Sequence, residues 1–256
     1  MLELKGLTSG YQEPRGVVVG AVTLKLPPGS FICVVGRNGA GKSTLMRTIC
    51  GLQPALAGAA TVDGADVAGI VARDRAQAIA VVTTERVSSP GLTARDVVEL
   101  GRQPYTDWRG RLSANDREIV ASAMDKAGAT PFAPKPFDSL SDGERQRVMI
   151  ARAFAQSSKI MVLDEITAFL DLPGRVEIMA LLRRQAEEAG KIVLLSSHDL
   201  DLSLELAREL WIVDNGRLVF GEPTELVSSG AIANAFDSHD VAFNTEQRRF
   251  VFAQAE

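Results

Sequence analysis

Short apolar runs bounded by glycine or proline divide the sequence and predict its strands. Runs that are apolar throughout are typical of buried strands in a parallel sheet, whereas alternating runs are typical of strands with one exposed face. The predicted strands cover residues 2–7, 17–26, 31–35, 60–63, 79–82, 160–163, 192–195 and 211–213.

Helical patterns fall between these strands. Residues 93–157 are mostly helical in pattern, and Thr93 and Ser113 each have an aspartate three residues later, the spacing of a helix-start capping box. A helix over about 174–189 separates the last two long apolar runs. A helix between two such strands predicts a βαβ crossover, and therefore a parallel sheet in an α/β fold.

A glycine-rich loop follows the strand at 31–35 and fits the pattern G-x-x-x-x-G-K-[ST]. The strand before the loop and the helix over 43–50 after it would place free backbone N–H groups around a phosphate chain. Lys42 is expected to reach the β- and γ-phosphates, and Ser43 to ligate Mg²⁺. The predicted phosphate-binding residues are Gly36, Asn38, Gly39, Ala40, Gly41, Lys42, Ser43 and Thr44. The sequence therefore predicts a site for a nucleoside triphosphate with Mg²⁺.

Two carboxylates end the apolar strand at 160–163. Asp164 is predicted to hold the hydration shell of the magnesium ion. Glu165 is expected to face elsewhere and to orient or deprotonate a water that attacks the γ-phosphate. Acidic pairs after strands are also common helix starts, so this prediction depends on the phosphate loop upstream.

Composition and charge narrow the range of functions. The net charge of −4 argues against a nucleic-acid binder with a broad basic face. Cys33 and Cys50 stand in apolar settings without metal-ligand spacing, so we expect two buried reduced thiols. The first residues lack a signal pattern, and no apolar run approaches membrane-spanning length. We therefore expect a cytosolic chain that acts on a membrane only through a partner.

The segment LSDGE at 140–144 opens a long predicted helix. Ser141 is the predicted N-cap and Glu144 completes its capping box, a geometry that can also bind an anion. The phosphate loop, this segment, the acidic strand and a late histidine follow one another in a familiar order. The chain resembles ATP-binding-cassette (ABC) ATPases over nearly its whole length, with LSDGE in place of the usual LSGGQ.

This resemblance implies a P-loop NTPase (RecA-like) α/β core with an antiparallel β subdomain and an inserted helical subdomain. The implied core covers residues 1–92 and 158–227, and the helical signature subdomain covers residues 93–157. Residues 228–256 are weakly patterned, and we expect a loosely attached C-terminal tail.

The resemblance also assigns roles to residues beyond the phosphate loop. Ser141 and Gly143 would contact the γ-phosphate of ATP held by the opposite subunit, and Glu144 and Asp171 would belong to the same site in trans. Two composite sites would then form only in a head-to-tail homodimer. Tyr11 would stack on adenine, and His198 would read the γ-phosphate and brace the attacking water. Tyr11 follows the first predicted strand, and His198 follows the predicted strand at 192–195.

The residue at one motif position differs from the family pattern. After the strand at 79–82 the family supplies a glutamine that touches magnesium and water, whereas this chain has Thr83-Thr84-Glu85-Arg86. Glu85 keeps the length of glutamine but adds a charge and loses the amide donor. Glu85 is the predicted metal-contacting residue. Thr84 is the other possible alignment with the family's glutamine, and it would leave the metal without that ligand.

The helical insert indicates which kind of transport is involved. Its run Gly101-Arg102-Gln103-Pro104-Tyr105 is similar to importer ATPases for iron–siderophore, haem and cobalamin. In that family the insert faces the permease, so Tyr105 and Trp108 would be amphipathic anchors. The resemblance thus implies an ATPase at the cytoplasmic face of the membrane that drives a separate permease and, indirectly, serves a substrate-binding protein.

Two other functional classes stay open. One is a soluble ABC ATPase of iron–sulfur cluster assembly, which would lack a permease. The other is a nucleic-acid-associated cassette, which the acidic net charge and the absence of a long coiled-coil arm disfavour. We therefore predict no nucleic-acid partner. Within the transporter class, a different transported substrate is also open.

Overall fold

Two large sheets, a C-terminal hairpin and nine helices make up the part of the chain that the structure describes. The computed structural model describes residues 1–13, 16–83, 89–168 and 170–252. The strands are β1 (Leu2–Gly10), β2 (Val17–Leu26), β3 (Phe31–Val35), β4 (Ala57–Val62), β5 (Ala65–Asp66), β6 (Ile79–Val82), β7 (Ile160–Asp164), β8 (Ile192–Ser196), β9 (Glu209–Asp214), β10 (Arg217–Gly221), β11 (Val241–Asn244) and β12 (Arg249–Phe252). The α-helices are α1 (Lys42–Ile49), α2 (Ala72–Ala78), α3 (Ala94–Glu99), α4 (Ala114–Lys126), α5 (Asp142–Ala155), α6 (Leu172–Ala189), α7 (Leu200–Leu206), α8 (Pro223–Ser228) and α9 (Ala231–Phe236).

A six-stranded sheet forms the centre of the fold, with the strand order β10-β9-β3-β8-β7-β6. All neighbours are parallel except β9 and β10, which form an antiparallel pair at one edge. Every residue of β3, β7 and β8 is buried, as their uninterrupted apolar runs predict. Helix α6 connects β7 to β8, so the predicted βαβ crossover and parallel sheet are confirmed.

A second sheet is antiparallel, with the order β2-β1-β4-β5. Its inward-facing residues and one face of the central sheet bury helix α1 between them, in a cluster that includes Leu4, Val34 and Leu45. The opposite face of the central sheet packs against the helical insert and α6 in a larger cluster. The fold class predicted from the sequence is therefore confirmed, with helices covering both faces of the parallel sheet.

The helical insert follows its predicted starts. Thr93 caps α3 and Ser113 caps α4, and at each the aspartate three residues later completes a capping box. Three short 3₁₀ segments, Leu100–Tyr105, Thr130–Phe132 and Phe137–Ser139, connect these helices. Among the described helices, none is long and apolar enough to cross a membrane.

The C-terminal stretch is folded onto the core, which corrects the loosely attached tail predicted for it. Ile232 and Phe243 are buried in the larger cluster, and the Phe250 ring makes edge contacts with the rings of Phe243 and Phe236 at centroid distances of 5.4 and 6.0 Å. Strands β11 and β12 form an antiparallel hairpin. The sequence did not predict this packing because each element is short. The apolar residues of these elements show no clear helical or strand periodicity, and they pack against elements distant in sequence.

Candidate functional site

The phosphate loop joins the carboxyl end of β3 to the first turn of α1. Gly41 caps the helix with φ 109°, and a Cβ at that position would overlap the Val18 side chain. A Cβ on Gly36 would similarly overlap the carbonyl of Val213. Both positions therefore require glycine, and they hold the loop close against β2 and β9. The loop residues Arg37, Asn38 and Gly39 are exposed, so their backbone faces solvent beside the helix N-terminus.

Lys42 points back under this loop. Its side chain is only 4% exposed, and its Nζ donates to the Gly36 carbonyl at 2.9 Å and the Arg37 carbonyl at 3.4 Å. Burial lowers the pKa of the Lys42 amine below its ordinary value, an effect that the nearby Glu165 and Asp164 carboxylates oppose. A buried ammonium beside a row of backbone N–H groups is suited to a polyanionic ligand.

One carboxylate oxygen of Glu165 faces two other groups of the site. Glu165 Oε1 lies 2.7 Å from His198 Nε2 and 4.0 Å from Lys42 Nζ. The backbone of Glu165 has φ 52°, a left-handed conformation that is uncommon outside glycine and concentrates at functional sites. The structure thus brings together three residues predicted from the sequence: Lys42 at the start of α1, Glu165 after β7 and His198 after β8.

Asp164 ends β7 on the side of the sheet that α1 covers. It is buried, and its Oδ1 has no hydrogen-bond partner within the described part of the chain. An orphaned buried carboxylate oxygen calls for a cation or water as its partner. Carboxylate and hydroxyl oxygens are the ligands that Mg²⁺ takes beside substrate phosphates. Asp164 therefore fits a magnesium site together with Ser43, the second residue of α1.

Tyr11 follows β1 and lies close to the loop helix. Its hydroxyl lies 3.2 Å from the Thr44 hydroxyl, and 38% of the residue is exposed. The ring therefore stands beside the start of α1 with part of its surface open to solvent. That position suits an aromatic platform for a planar base, the role that the sequence resemblance implies.

The residues nominated to act in trans stand apart from the loop. Ser141 caps α5, and its hydroxyl accepts a hydrogen bond from the Glu144 amide at 3.3 Å, while Glu144 Oε2 accepts from the Ser141 amide at 2.9 Å. Gly143 is the second residue of that helix, and Asp171 caps α6 through the Gly174 amide at 3.1 Å. Ser141 and Asp171 are exposed, so both helix starts are accessible to another molecule.

Glu144 is also held by Lys135, whose Nζ lies 2.9 Å from Glu144 Oε1. This hydrogen bond and those from Ser141 keep the pKa of the Glu144 carboxyl below its ordinary value. The carboxylate at this departure from the usual signature is therefore already paired with a cation of its own chain. Glu85 and Thr84, the two candidates for the position at which the family has a glutamine, lie outside the described residues.

A cavity of about 400 Å³ adjoins the Glu165–His198 pair. Its walls include Arg175 and Asp199, which form an ion pair at 3.6 Å, and Phe250 from the C-terminal hairpin. Neither Arg175 nor Phe250 is predicted from the sequence to line the site. The only available signal was the position of Arg175 one turn after Asp171, whereas nothing local to Phe250 connects it with the site.

An ion-paired junction fastens the segment 100–106 to the end of α5. Arg102 is buried, and its guanidinium donates to Asp116 Oδ1 at 2.8 Å and to the Ala155 carbonyl at 2.8 Å. The Tyr105 ring lies over that guanidinium at 3.9 Å, and its hydroxyl donates to the Gln156 carbonyl at 3.0 Å. The junction therefore ties one segment of the insert to the helix that begins beside Ser141.

Beyond this junction the insert presents an open groove of about 770 Å³ between α2 and residues 103–110. Trp108 stands at its edge with 86% of its surface exposed, and the Arg109 guanidinium lies 4.6 Å from the indole centroid. Arg73, on the other wall, donates to the Pro104 and Thr106 carbonyls at 2.8 and 3.1 Å. A groove with an exposed indole at its edge is typical of a protein-binding surface.

Comparison with known proteins agrees with this arrangement. A family model described as ABC transporter matches residues 19–168. An uncharacterised ABC transporter ATP-binding protein of Methanocaldococcus jannaschii is 37% identical over 238 residues, which are 93% of this chain and 81% of that protein. The cobalamin import ATP-binding protein BtuD of Halobacterium salinarum is 37% identical over 96% of this chain and 61% of its own length. The iron(3+)-hydroxamate import ATP-binding protein FhuC of Bacillus subtilis is 33% identical over 85% of this chain and 80% of its own length.

Two solved structures are similar over most of the chain. One is an inward-facing ABC transporter assigned provisionally to the metal-chelate type, with a TM-score of 0.79, 25% identity, and coverage of 98% of this chain and 94% of that one. The other is the ATP-binding cassette MJ0796, a dimer in a post-hydrolysis state bound to ADP and Pi. It has a TM-score of 0.77, 29% identity, and coverage of 87% of this chain and 99% of that one.

Proposed function

The chain belongs to the ABC transporter family, and from that premise we propose that it is the ATP-hydrolysing subunit of an importer that takes up a metal chelate through a separate permease. It is an ATPase with the α/β cassette fold of its relatives. The proposal concerns its partner, its transported ligand and the roles of individual residues.

The ATP phosphates would lie in the loop from Gly36 to Ser43, with Lys42 between the β- and γ-phosphates. The support is the buried Lys42 ammonium, which donates hydrogen bonds to two loop carbonyls and lies 4.0 Å from Glu165. Asp164 and Ser43 would hold Mg²⁺, which when bound neutralises the charge on the phosphate oxygens. Tyr11 would stack on the adenine ring.

Hydrolysis would depend on Glu165 and His198. The Glu165 carboxylate would accept a proton from a water as its oxygen attacks the γ-phosphorus and the bond to ADP breaks. His198, 2.7 Å from Glu165 Oε1, would hold that carboxylate in place and contact the γ-phosphate. The contact between His198 and Glu165 is the single observation that carries this assignment, because it joins residues 33 positions apart at one point of the site.

Each ATP-binding site would be completed by residues of a second copy of the chain. Ser141 and Glu144 form the capping box of one helix start, with Gly143 in its first turn, and Asp171 caps another. Ser141 and Asp171 are exposed, so both helix starts are available to a partner subunit. We expect ATP to close this head-to-tail homodimer and hydrolysis to reopen it, which the permease would convert into alternating access. The residues would then act on the nucleotide of the opposite subunit.

The permease would dock in the groove between α2 and residues 103–110, with Trp108 as an anchor at its edge. Tyr105, which is 36% exposed on the neighbouring junction, would be a second anchor. Docking there would place the chain at the cytoplasmic face of a membrane, and a substrate-binding protein would act upstream of the permease. The support for a metal chelate comes from relatives named for cobalamin and for iron(3+)-hydroxamate import. We expect the ATPase itself not to contact the transported ligand.

Site-specific photocrosslinking tests the permease assignment. A photoreactive amino acid would replace Trp108 in cells of the source organism, and adducts would be recovered from detergent-solubilised membranes. We expect one adduct with a multi-spanning membrane protein, and that protein should stimulate ATP hydrolysis when the two are reconstituted together.

A matched control would carry the same photoreactive residue at Phe252, another exposed aromatic, which lies on β12 and does not line the groove. The control should give no adduct with the same membrane protein. If position 108 formed adducts only with soluble iron–sulfur assembly proteins, the importer proposal would be wrong and the soluble ATPase would be the better assignment.

If the permease is found, uptake of radiolabelled iron chelates and of cobalamin is compared between cells with and without the chain. The compound whose uptake is lost identifies the ligand class.

A further inference from the structure

A buried serine lies beside Asp164 and has no role in the site described above. Ser196 ends β8, and the strand register places it directly across from Asp164, which ends β7. Ser196 is fully buried, and its Oγ has no hydrogen-bond partner among the described residues, as is also true of Asp164 Oδ1. Two orphaned oxygens therefore occupy neighbouring positions on adjacent strands.

The alternation of the strands gives both side chains the same direction. Ile160 and Val162 of β7, and Ile192 and Leu194 of β8, pack in the cluster that contains α1, while the intervening residues pack on the other face. Side chains two apart on a strand share a face. Asp164 and Ser196 thus both point toward the face covered by α1, the helix that carries Lys42 and Ser43.

The two oxygens are not within hydrogen-bond reach of each other. A buried hydroxyl without a partner costs about 1–3 kcal/mol, so an orphan in a well-packed strand calls for an explanation. A water between two buried polar groups is the usual one, provided that further polar partners are available. Asp164 Oδ1 and Ser196 Oγ supply two such partners.

We propose that Ser196 is a positioning residue for the metal site: its hydroxyl donates to a buried water that in turn donates to one lone pair of Asp164 Oδ1, and this orients the carboxylate so that its remaining lone pairs face Mg²⁺. The inference rests on the magnesium site of the proposed function and adds a residue to it. Groups that orient a metal-binding carboxylate typically change metal affinity by ten- to a hundredfold when they are removed.

Metal affinity measured without turnover tests the role of Ser196. The full chain, saturated with a non-hydrolysable ATP analogue, is titrated with Mn²⁺ as an EPR-visible substitute for Mg²⁺. Ser196→Ala should raise the Kd of Mn²⁺ about tenfold, whereas Ser196→Thr, which keeps the hydroxyl, should recover most of the affinity. The affinity for the analogue without metal should be the same in all variants.

Ser9→Ala is the matched control, because Ser9 is another fully buried serine whose hydroxyl has no partner among the described residues, and it lies in β1. Its Kd for Mn²⁺ should equal that of the unaltered chain. The thermal midpoint of the metal-free protein should stay equal or rise in Ser9→Ala, because that variant loses a hydroxyl without a partner. A purely structural role of Ser196 would lower the midpoint of Ser196→Ala and leave its metal affinity unchanged.

The outcomes separate this inference from the proposed function. Equal Mn²⁺ affinity in Ser196→Ala and Ser9→Ala would overturn the inference while leaving the magnesium site intact. Loss of analogue binding in Ser196→Ala without metal would also overturn it, because Ser196 would then support the loop itself. If the unaltered chain bound no Mn²⁺ in the presence of nucleotide, the magnesium site would be wrong as well.

Discussion

Removing the Arg102 guanidinium tests whether the insert is held together by its buried ion pair. Arg102→Met keeps most of the length and apolar surface of the side chain but deletes the groups that bond Asp116, the Ala155 carbonyl and Ser157 Oγ. Arg102 and Asp116 have side-chain exposures of only 5% and 10%. The variant therefore leaves a carboxylate in a nearly dry site without its cation.

The expected loss follows from that geometry. Breaking a buried ion pair by removing one partner costs about 3–5 kcal/mol of unfolding free energy. Asp116 keeps two hydrogen bonds from Ser113, at 2.9 Å from its amide and 2.6 Å from its hydroxyl, so the lower end of about 3 kcal/mol applies. The double variant Arg102→Met/Asp116→Asn removes both charges and keeps a capping side chain, so we expect it to lose clearly less.

Urea unfolding provides the measurement. It compares the free energy of unfolding of four proteins: the unaltered chain, Arg102→Met, Asp116→Asn and the double variant. Arg183→Met is the control, because Arg183 makes an exposed pair with Glu187 at 2.8 Å, and such a pair contributes about 0.3–0.5 kcal/mol. If Arg102→Met loses no more than Arg183→Met, the reasoning from burial is wrong. The reasoning would also be wrong if the double variant had the lowest free energy of unfolding of the four proteins.

The pH dependence of this cycle has a defined sign. Hydrogen bonds from Ser113, and then the pairing with Arg102, hold the pKa of the Asp116 carboxyl below its ordinary value. The stabilisation from Asp116 is therefore fully present above its unfolded pKa of about 4 and is lost as the pH falls through the lower folded value. The difference between the unaltered chain and Asp116→Asn should be constant from about pH 5 to 8 and should shrink in more acidic solution.

Three further predictions concern catalysis. Glu165→Gln should lower ATP turnover about a hundred- to ten-thousandfold while nucleotide affinity stays nearly the same, and an ATP-bound dimer should accumulate in gel filtration; unchanged turnover would remove Glu165 as the base. A mixture of Ser141→Arg and Lys42→Ala chains should hydrolyse more ATP than either alone, because both lesions then share one site and the other stays whole; no gain in the mixture would contradict action in trans. With the permease present, Glu85→Ala should raise the Mg²⁺ concentration for half-maximal hydrolysis and Glu85→Gln should restore it, whereas an unchanged titration in Glu85→Ala would favour Thr84.

Local sequence patterns determined the framework of this protein. The apolar runs at 31–35, 160–163 and 192–195 are long enough and uniform enough to predict buried parallel strands. The phosphate loop could be predicted because its chemistry depends on neighbouring residues along the chain, whose N–H groups face one point. Capping boxes at Thr93 and Ser113 are equally local and are present as predicted. What depends on residues close in sequence could therefore be predicted from the sequence.

Tertiary structure alone decided which distant residues meet. The Arg102–Asp116 pair, the packing of the C-terminal hairpin near His198, and the register of Asp164 with Ser196 all join elements far apart in the chain. A serine in an apolar strand has the same local pattern whether its hydroxyl faces a metal site or a helix. Its role is set by the order and register of the strands, and these depend on how the whole sheet buries its two faces.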